Sequence, residues 1–244
     1  MGITKLDIII PVYNEGKKIL KLLDQLKKDV KYDFRILICY DSKSDTTLKF
    51  LGKSKIKKRI FLIKNPSIGP NNAIKEGIKK SKSQIILIYM ADDFYNTKLI
   101  NKMTQLIIRG NDLVIPSRFV YGGKFVGGNF FKKSITYIGS FILNSIIGFP
   151  YKDCTNAFKM FNSKVKRKIK IDSKVGFTFA IELTIKSYFK GFNIIEIPSI
   201  WKDVKYRKSN FKVIKWLPYY IYWLLYLIIK KILKKNFILI IKCI

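Results

Sequence analysis

The sequence predicts an α/β fold, a mostly parallel sheet flanked by helices, with a helical segment appended at the C-terminal end. Three observations carry this prediction. Short, continuous apolar runs bounded by turn residues recur through the first half. Apolar residues at helical spacing separate those runs. From Phe211 onward the composition shifts to an aromatic, lysine-rich stretch unlike the rest.

In order, Leu6–Val12 (LDIIIPV) has the unbroken apolar character of a strand covered on both faces. Ile19, Leu22, Leu23, Leu26 and Val30 then repeat with helical period. Phe34–Tyr40 (FRILICY) is a second strand and Thr46–Leu51 opens a second helix. Ile60–Ile63 is a short third strand. Pro70–Lys80 reads as a helix with its proline in the first turn, where the missing N–H costs nothing. Gln84–Met90 (QIILIYM) is the fourth strand; Leu99, Met103, Leu106 and Ile107 mark the next helix, and Leu113–Pro116 the fifth strand. Strand and helix alternating at this spacing require crossover connections and hence a parallel sheet. Such sheets bind ligands at the carboxyl ends of their strands.

The second half is less regular. Tyr121–Asn129 (YGGKFVGGN) carries four glycines and predicts a mobile or tightly turned loop. Ser134–Phe149 is an apolar, helix-like segment, followed by Asn156–Phe161, a helix near Phe179–Phe189 and a strand at Asn193–Pro198. In the tail, Trp216–Ile229 runs 14 residues without a charge, short of the roughly 20 that span a bilayer. Trp and Tyr fill it, and Lys230, Lys231, Lys234 and Lys235 follow. Residues 202–244 hold eleven Lys/Arg against one acid, Asp203. Aromatic anchors beside lysines suit a helix lying in the interface of an anionic leaflet. The alternatives are a helix packed on the domain's own core, or a hairpin with Phe237–Ile241 as its second arm.

The chain has 244 residues and a formal net charge of +32, from 48 Lys+Arg against 16 Asp+Glu, with no His and three Cys. Its 48% hydrophobic content excludes general disorder. The absence of His excludes imidazole bases and His-ligated zinc, so acid–base or metal chemistry falls to the carboxylates, the thiols or the substrate. Of the 48 basic residues 42 are Lys, alongside 42 Ile, a bias that fits either overall composition or an anionic partner. Nucleic-acid readers favour the forked guanidinium, and six Arg argue against that partner. Cys39, Cys154 and Cys243 form neither a CxxC nor a disulfide framework, which predicts a reducing compartment. Met1–Ile10 has no basic segment before its apolar run, so no signal peptide is predicted.

With acids so scarce, their clustering is informative. Met90-Ala91-Asp92-Asp93 ends the fourth strand. Adjacent carboxylates there suit Mg²⁺ or Mn²⁺ bridging the oxygens of a diphosphate, although Asp-Asp also serves as a helix cap. Asp41 and Asp45 close the second strand and could reach the same cleft; Asp45 reads equally well as an N-cap.

The stretch Ile9–Glu15 (IIPVYNE) resembles the opening strand and turn of family 2 glycosyltransferases, inverting enzymes of the GT-A fold. Further segments match in order: YDSKSDTT at Tyr40–Thr47, IGPNNAIKEG at Ile68–Gly77, MADD at Met90–Asp93 and PSRFVYGG at Pro116–Gly123. DCTNAFK at Asp153–Lys159, the helix bearing Phe177, Glu182 and Leu183, and EIPSIW at Glu196–Trp201 continue the series. Together they cover about residues 5–212 and look most like the dolichyl-phosphate mannose synthase branch.

The resemblance implies a GT-A unit over 1–212, with a nucleotide-sugar half (1–117) and an acceptor half (118–212), while the composition of 213–244 predicts a membrane-associated tail. Pro11, Tyr13 and Glu15 would line the base pocket, with Tyr40, Asp41, Asn72 and Ala91 on the donor side. Asp92, with Asp93, would hold the metal. Arg118 would meet a phosphate, Lys132 and Lys133 would attract the acceptor's phosphate, and Asp153 would sit beside the reacting centre. The chain departs from the family pattern at three places. Tyr40 replaces an acid, Met90 replaces the first Asp of the DxD motif, and Lys205 or Arg207 would stand in for a late phosphate-binding Arg. An inactive paralogue is the alternative these departures leave.

The expected reaction is transfer of a hexose from a nucleotide sugar to a polyprenyl phosphate, on the cytoplasmic face of a membrane, with the protein peripheral or shallowly inserted. A hydroxyl acceptor needs a general base; a phosphate monoester, with a second pKa of about 6, does not. No acid lies between Ser117 and Tyr151, which favours the phosphate over the rival reading, transfer to a glycan or glycolipid hydroxyl with Asp153 as base. A non-catalytic membrane or nucleic-acid binder is the remaining alternative.

Overall fold

Leu6–Pro11 (β1) is buried along nearly its whole length because both faces of the strand are covered by helices. The computed structural model describes residues 5–127, 130–202 and 213–242, and the side chains of these except 131, 132, 213, 214 and 234–242. Parallel neighbours of β1 are Phe34–Tyr40 (β2) and Ile85–Ile88 (β4), with Ile60–Lys64 (β3) outside β2. Between them run Lys18–Asp29 (α1), the single turn Leu48–Leu51 (α2) and Pro70–Lys80 (α3), the last with the bounds the sequence predicts. Leu99–Ile108 (α4), Leu113–Ser117 (β5), Lys124–Val126 (β6) and Phe130–Phe141 (α5) follow. A π-helical turn, Ile142–Ile146, extends α5.

The remaining elements complete the sheet: Lys159–Asn162 (β7), Ser163–Lys168 (α6), Phe179–Phe189 (α7), Ile194–Pro198 (β8), Ile200–Lys202 (β9) and Val213–Lys242 (α8). The strand order is β3-β2-β1-β4-β7-β5-β8. β7 runs antiparallel to both β4 and β5, so the predicted parallel sheet contains one reversed strand. That reversal returns the chain from the 150s to the sheet, between the strands that end at Asp92 and Arg118. β6 and β9 form a separate two-stranded parallel ribbon.

Alternation along the strands divides the core. Ile8, Ile10, Ile36, Ile38 and Leu87 face α1 and α4, while Ile9, Leu37, Cys39, Ile86 and Ile88 face α3 and α7. A third cluster joins Leu143, Phe149, Cys154, Ile181 and Ile185 to Trp223 and Leu227 of α8. Trp223 also donates its indole N–H to Ser173 Oγ at 3.0 Å, and the Lys231 ammonium caps the carbonyls of Ile147 and Gly148. One side of α8 is therefore packed on the domain. Its other side leaves Tyr219, Tyr222, Leu225, Ile229, Ile232 and Leu233 exposed. Among the described residues no helix is long and apolar enough to cross a membrane.

α3 lies unusually close to the sheet because Gly77 faces it. A Cβ there would fall 2.5 Å from Ile9 Cγ2 and 2.8 Å from Cys39 Sγ. Since both neighbours are buried core atoms, Gly77→Ala must push the helix outward, an overpacking cost of about 1–3 kcal/mol. Urea denaturation should show that loss; an unchanged midpoint would contradict the close approach.

Candidate active site

The carboxyl ends of β1, β2, β4 and β5 carry the residues singled out in the sequence. After β1 the chain turns through Asn14, whose φ of 55° places it in the left-handed region that Asn tolerates. The buried Asp45 holds this turn against the next one. Its Oδ2 accepts the Asn14 N–H at 3.1 Å and its Oδ1 the Thr47 N–H at 2.8 Å. Glu15 N–H donates to Thr47 Oγ1 at 2.9 Å, and Thr46 N–H to Asn14 Oδ1 at 3.1 Å. Pro11 and Glu15 are half-buried in this turn and Tyr13 is exposed. Asp45 thus turns its own segment through the N–H two residues on and joins two loops, while the N-cap of α2 is Thr47, with no side-chain cap.

At the end of β2, Tyr40 is half-buried against the first core cluster. Asp41 organises the loop after β3: Oδ1 accepts from Asn65 Nδ2 at 2.5 Å and Oδ2 from the Gly69 N–H at 3.1 Å. Gly69, at φ 114°, has backbone that a side chain would strain. An open cleft of about 590 Å³ lies beside Asp41, lined by Lys64, Asn65, Ile68, Glu76 and Lys80. Asn72 bonds back to the Ile68 carbonyl at 3.0 Å, and the buried Asn71 reaches the Ser173 carbonyl at 2.5 Å.

Beyond β4, Ala91 is buried and Asp92 half-buried. Asp93 is buried, and its carboxylate accepts from Tyr95 N–H (3.0 Å), Asn96 N–H (3.1 Å) and Asn96 Nδ2 (2.7 Å). Burial pushes its pKa above the usual carboxylate range and the Asp92 charge adds to that, against the pull of those hydrogen bonds. Asp93 therefore shapes the turn, and of the two acids Asp92 is the more open to a ligand. Among the described residues no group of three or more His, Cys, Asp or Glu is arranged to hold a metal.

β5 delivers Arg118, and the reversed β7 brings Asp153 to it. The Asp153 carboxylate accepts from the Arg118 N–H and Nε, both at 2.8 Å, and from Nη2 at 2.6 Å. Side-chain exposures are 11% for Arg118 and 0% for Asp153, so neither oxygen of Asp153 faces solvent. The guanidinium also lies over Phe119 and Phe125, 5.2 and 5.3 Å from the ring centroids. Gly123 makes room for this strand end, since a Cβ there would meet the Ser117 carbonyl at 2.5 Å.

Glu196, quoted in the sequence only as part of a motif, accepts the backbone N–H groups of Lys152 and Asp153, each at 2.8 Å. Nothing in its spacing announced that role. The structure brings Arg118 and Asp153 together, and Lys133 lies over the Tyr137 ring at 5.9 Å. The Lys132 side chain, Lys205 and Arg207 lie outside the described residues.

The family model for "Glycosyl transferase family 2" matches residues 7–170, and the chain belongs to that family. It is 24% identical over 200 residues to a dolichol-phosphate mannosyltransferase of Pyrococcus furiosus, covering 80% of this chain and 55% of that protein. It therefore spans little more than half the length of that relative. It is 25% identical over 197 residues to an undecaprenyl-phosphate mannosyltransferase of Micrococcus luteus, covering 78% of this chain and 80% of the relative. Over 219 residues it is 26% identical to a dolichyl-phosphate β-glucosyltransferase of Dictyostelium discoideum, covering 82% and 67%. Glucosyl-3-phosphoglycerate synthase of Mycobacterium tuberculosis, solved with Mn²⁺, UDP-glucose and phosphoglyceric acid, superposes with a TM-score of 0.68 at 13% identity. That superposition covers 93% of this chain and 80% of the other, and it supports the fold alone.

Breaking the Arg118–Asp153 pair from one side leaves a buried, unmatched charge. Asp153→Asn is expected to cost about 3–5 kcal/mol of stability, read by urea denaturation; a loss below about 1 kcal/mol would contradict the burial of the pair.

Proposed function

We propose that this protein transfers a hexose, with inversion, from a nucleotide sugar to a polyprenyl phosphate at a membrane surface. The observation that carries the reading is the state of Asp153. A hydroxyl acceptor must give up a proton as it attacks and needs a base within reach. Asp153, the sequence's candidate for that base, is buried with both oxygens bonded to Arg118. A phosphate monoester is already anionic at neutral pH. Its oxygen attacks the anomeric carbon, the bond from that carbon to the nucleoside diphosphate breaks, and no proton has to leave. The three named relatives, two acting on dolichyl and one on undecaprenyl phosphate by their descriptions, point to the same acceptor class.

Donor binding falls to the loops at the ends of β1, β2 and β4, which carry Pro11, Tyr13, Glu15, Tyr40 and Asp41, the last of these lining the cleft. Mg²⁺ characteristically uses one or two carboxylates together with substrate phosphates. The half-buried Asp92 fits that role without a cage of protein ligands, and a solved structure of the Mycobacterium synthase holds Mg²⁺ with UDP. Such an ion would neutralise charge on the departing diphosphate.

Membrane contact is assigned to α8 and α5. Exposed Tyr222, Leu225 and Ile229 on α8, and Tyr137, Ile138 and Phe141 on α5, form apolar surface flanked by Lys230 and Lys133. Side chains of this kind settle at the headgroup level of an anionic leaflet.

The test is a panel of radiolabelled nucleotide sugars offered with polyprenyl phosphate and Mg²⁺ or Mn²⁺, reading label in the organic phase. One donor is expected to label the lipid, with Asp92→Ala reducing the rate by about 100-fold or more. No label above the Asp92→Ala control with any donor would overturn the assignment.

A further inference from the structure

Lys159 is the one lysine among the described residues that is fully buried. It stands on β7 opposite Ile88 of β4, and by alternation it shares a face with Phe161, a member of the second core cluster. Its ammonium lies 3.4 Å from the Asp153 carbonyl, the only hydrogen bond described for it. The charged and titratable groups facing it are Asp153 and Cys154 from the 151–155 loop, Glu196 from β8 and Arg118 from the end of β5. An ammonium so placed is a poor way to stabilise a fold, since a buried charge gives back little of its desolvation cost unless closely paired. An apolar side chain of similar length would serve packing as well.

The surroundings give the charge a different use. Asp153 is gripped at three points: its N–H by Glu196, its carbonyl by Lys159, and its carboxylate by Arg118. Ser140 Oγ holds the Lys152 carbonyl at 2.6 Å, and Lys152 N–H bonds Glu196 at 2.8 Å. Two cations and two carboxylates thus balance around one short loop. Removing the ammonium leaves two negative charges facing one guanidinium, and with Asp153 fully buried their repulsion is screened less than in bulk water.

We propose that Lys159 is a positioning residue for the transfer reaction, holding the Asp153 loop so that Asp153 keeps Arg118 oriented at the acceptor side. This rests on the proposed function, with Arg118 meeting a substrate phosphate and Asp153 beside the reacting centre. Burial pushes the ammonium down to about 8; the Arg118 charge acts in the same direction, and Cys154, Asp153 and Glu196 act against it. The charged form therefore predominates below pH 8, and the hold weakens as pH rises through that value.

The experiment compares the unmodified protein with Lys159→Met and Lys159→Arg, following transfer to polyprenyl phosphate from pH 6 to about 9.5. The unmodified protein should lose kcat on an alkaline limb near pH 8. Lys159→Met should lack that limb and run about tenfold slower at pH 7, with KM for the nucleotide sugar unchanged. Lys159→Arg, which stays charged, should keep more of the rate and move the limb upward. Hydrogen exchange of the 151–155 segment reads the hold without any acceptor and should quicken about tenfold in Lys159→Met. If Lys159→Met does not fold, Lys159→Gln takes its place. A Lys159→Met protein with unaltered kcat and pH profile, or with unaltered exchange, overturns the proposal. An unmodified protein that glycosylates no lipid at any pH defeats the acceptor assignment instead, and the exchange comparison still decides the role of Lys159.

Discussion

The carboxylate of Asp153 is buried against the Arg118 guanidinium, and much of the candidate site depends on what it holds. β5 ends at Arg118, and the chain then leaves the sheet for the β6 ribbon and α5 before returning. Only when it returns, reversed, as β7 does Asp153 come under the guanidinium. Glu196 from β8 and Lys159 from β7 brace the same loop from its other sides. Residues from three stretches of sequence are thus committed to one another, with Asp153 and Lys159 fully buried. A buried pair of this kind contributes little net stability compared with apolar packing, but it is costly to break from one side. That asymmetry favours orientation over stability as its use.

This arrangement narrows the chemistry. The chain has no histidine, and Asp153 beside Arg118 has both carboxylate oxygens engaged. A site built this way suits an acceptor that arrives already charged. The ends of β1 and β2 are organised differently, by loops clamped to loops. Asp45 ties the β1 turn to the β2 turn and Asp41 ties the β2 turn to the loop after β3, both through backbone N–H groups. A rigid scaffold with function on its loops is the expected division of labour in such folds.

The doubly covered strands and α3 were legible in the sequence because they rest on local signals: unbroken apolar runs, a helical period, and a proline at a helix start. The reversal of β7 was not, since Asn156–Phe161 reads as apolar in either direction and direction is decided by where the chain has been. As adjacent acids Asp92 and Asp93 carry the same local signal, and the motif ranks Asp92 first; the turn built on Tyr95 and Asn96 shows how Asp93 is engaged. Arg118 and Asp153 were both picked out, but their pairing joins positions 35 apart and leaves no mark on local spacing. Trp223 behaved similarly. The aromatic tail was evident, yet which of its residues turn inward depends on Ser173 and on the third core cluster, to which α7 contributes. The charge of +32 likewise separates only in the structure, where Lys159 is buried beneath Asp153 while Lys215 and Lys230 of α8 are exposed.

The central claim is that the acceptor must supply its own negative charge. Offering the same lipid as the phosphate and as the free alcohol, with one labelled donor and one preparation of the protein, tests this directly. The account predicts sugar on the polyprenyl phosphate and, on the polyprenol, less than about 1% of that rate. Glycosylation of the alcohol at a comparable rate would contradict it, because a base would then have to be at work where this structure shows Asp153 fully engaged.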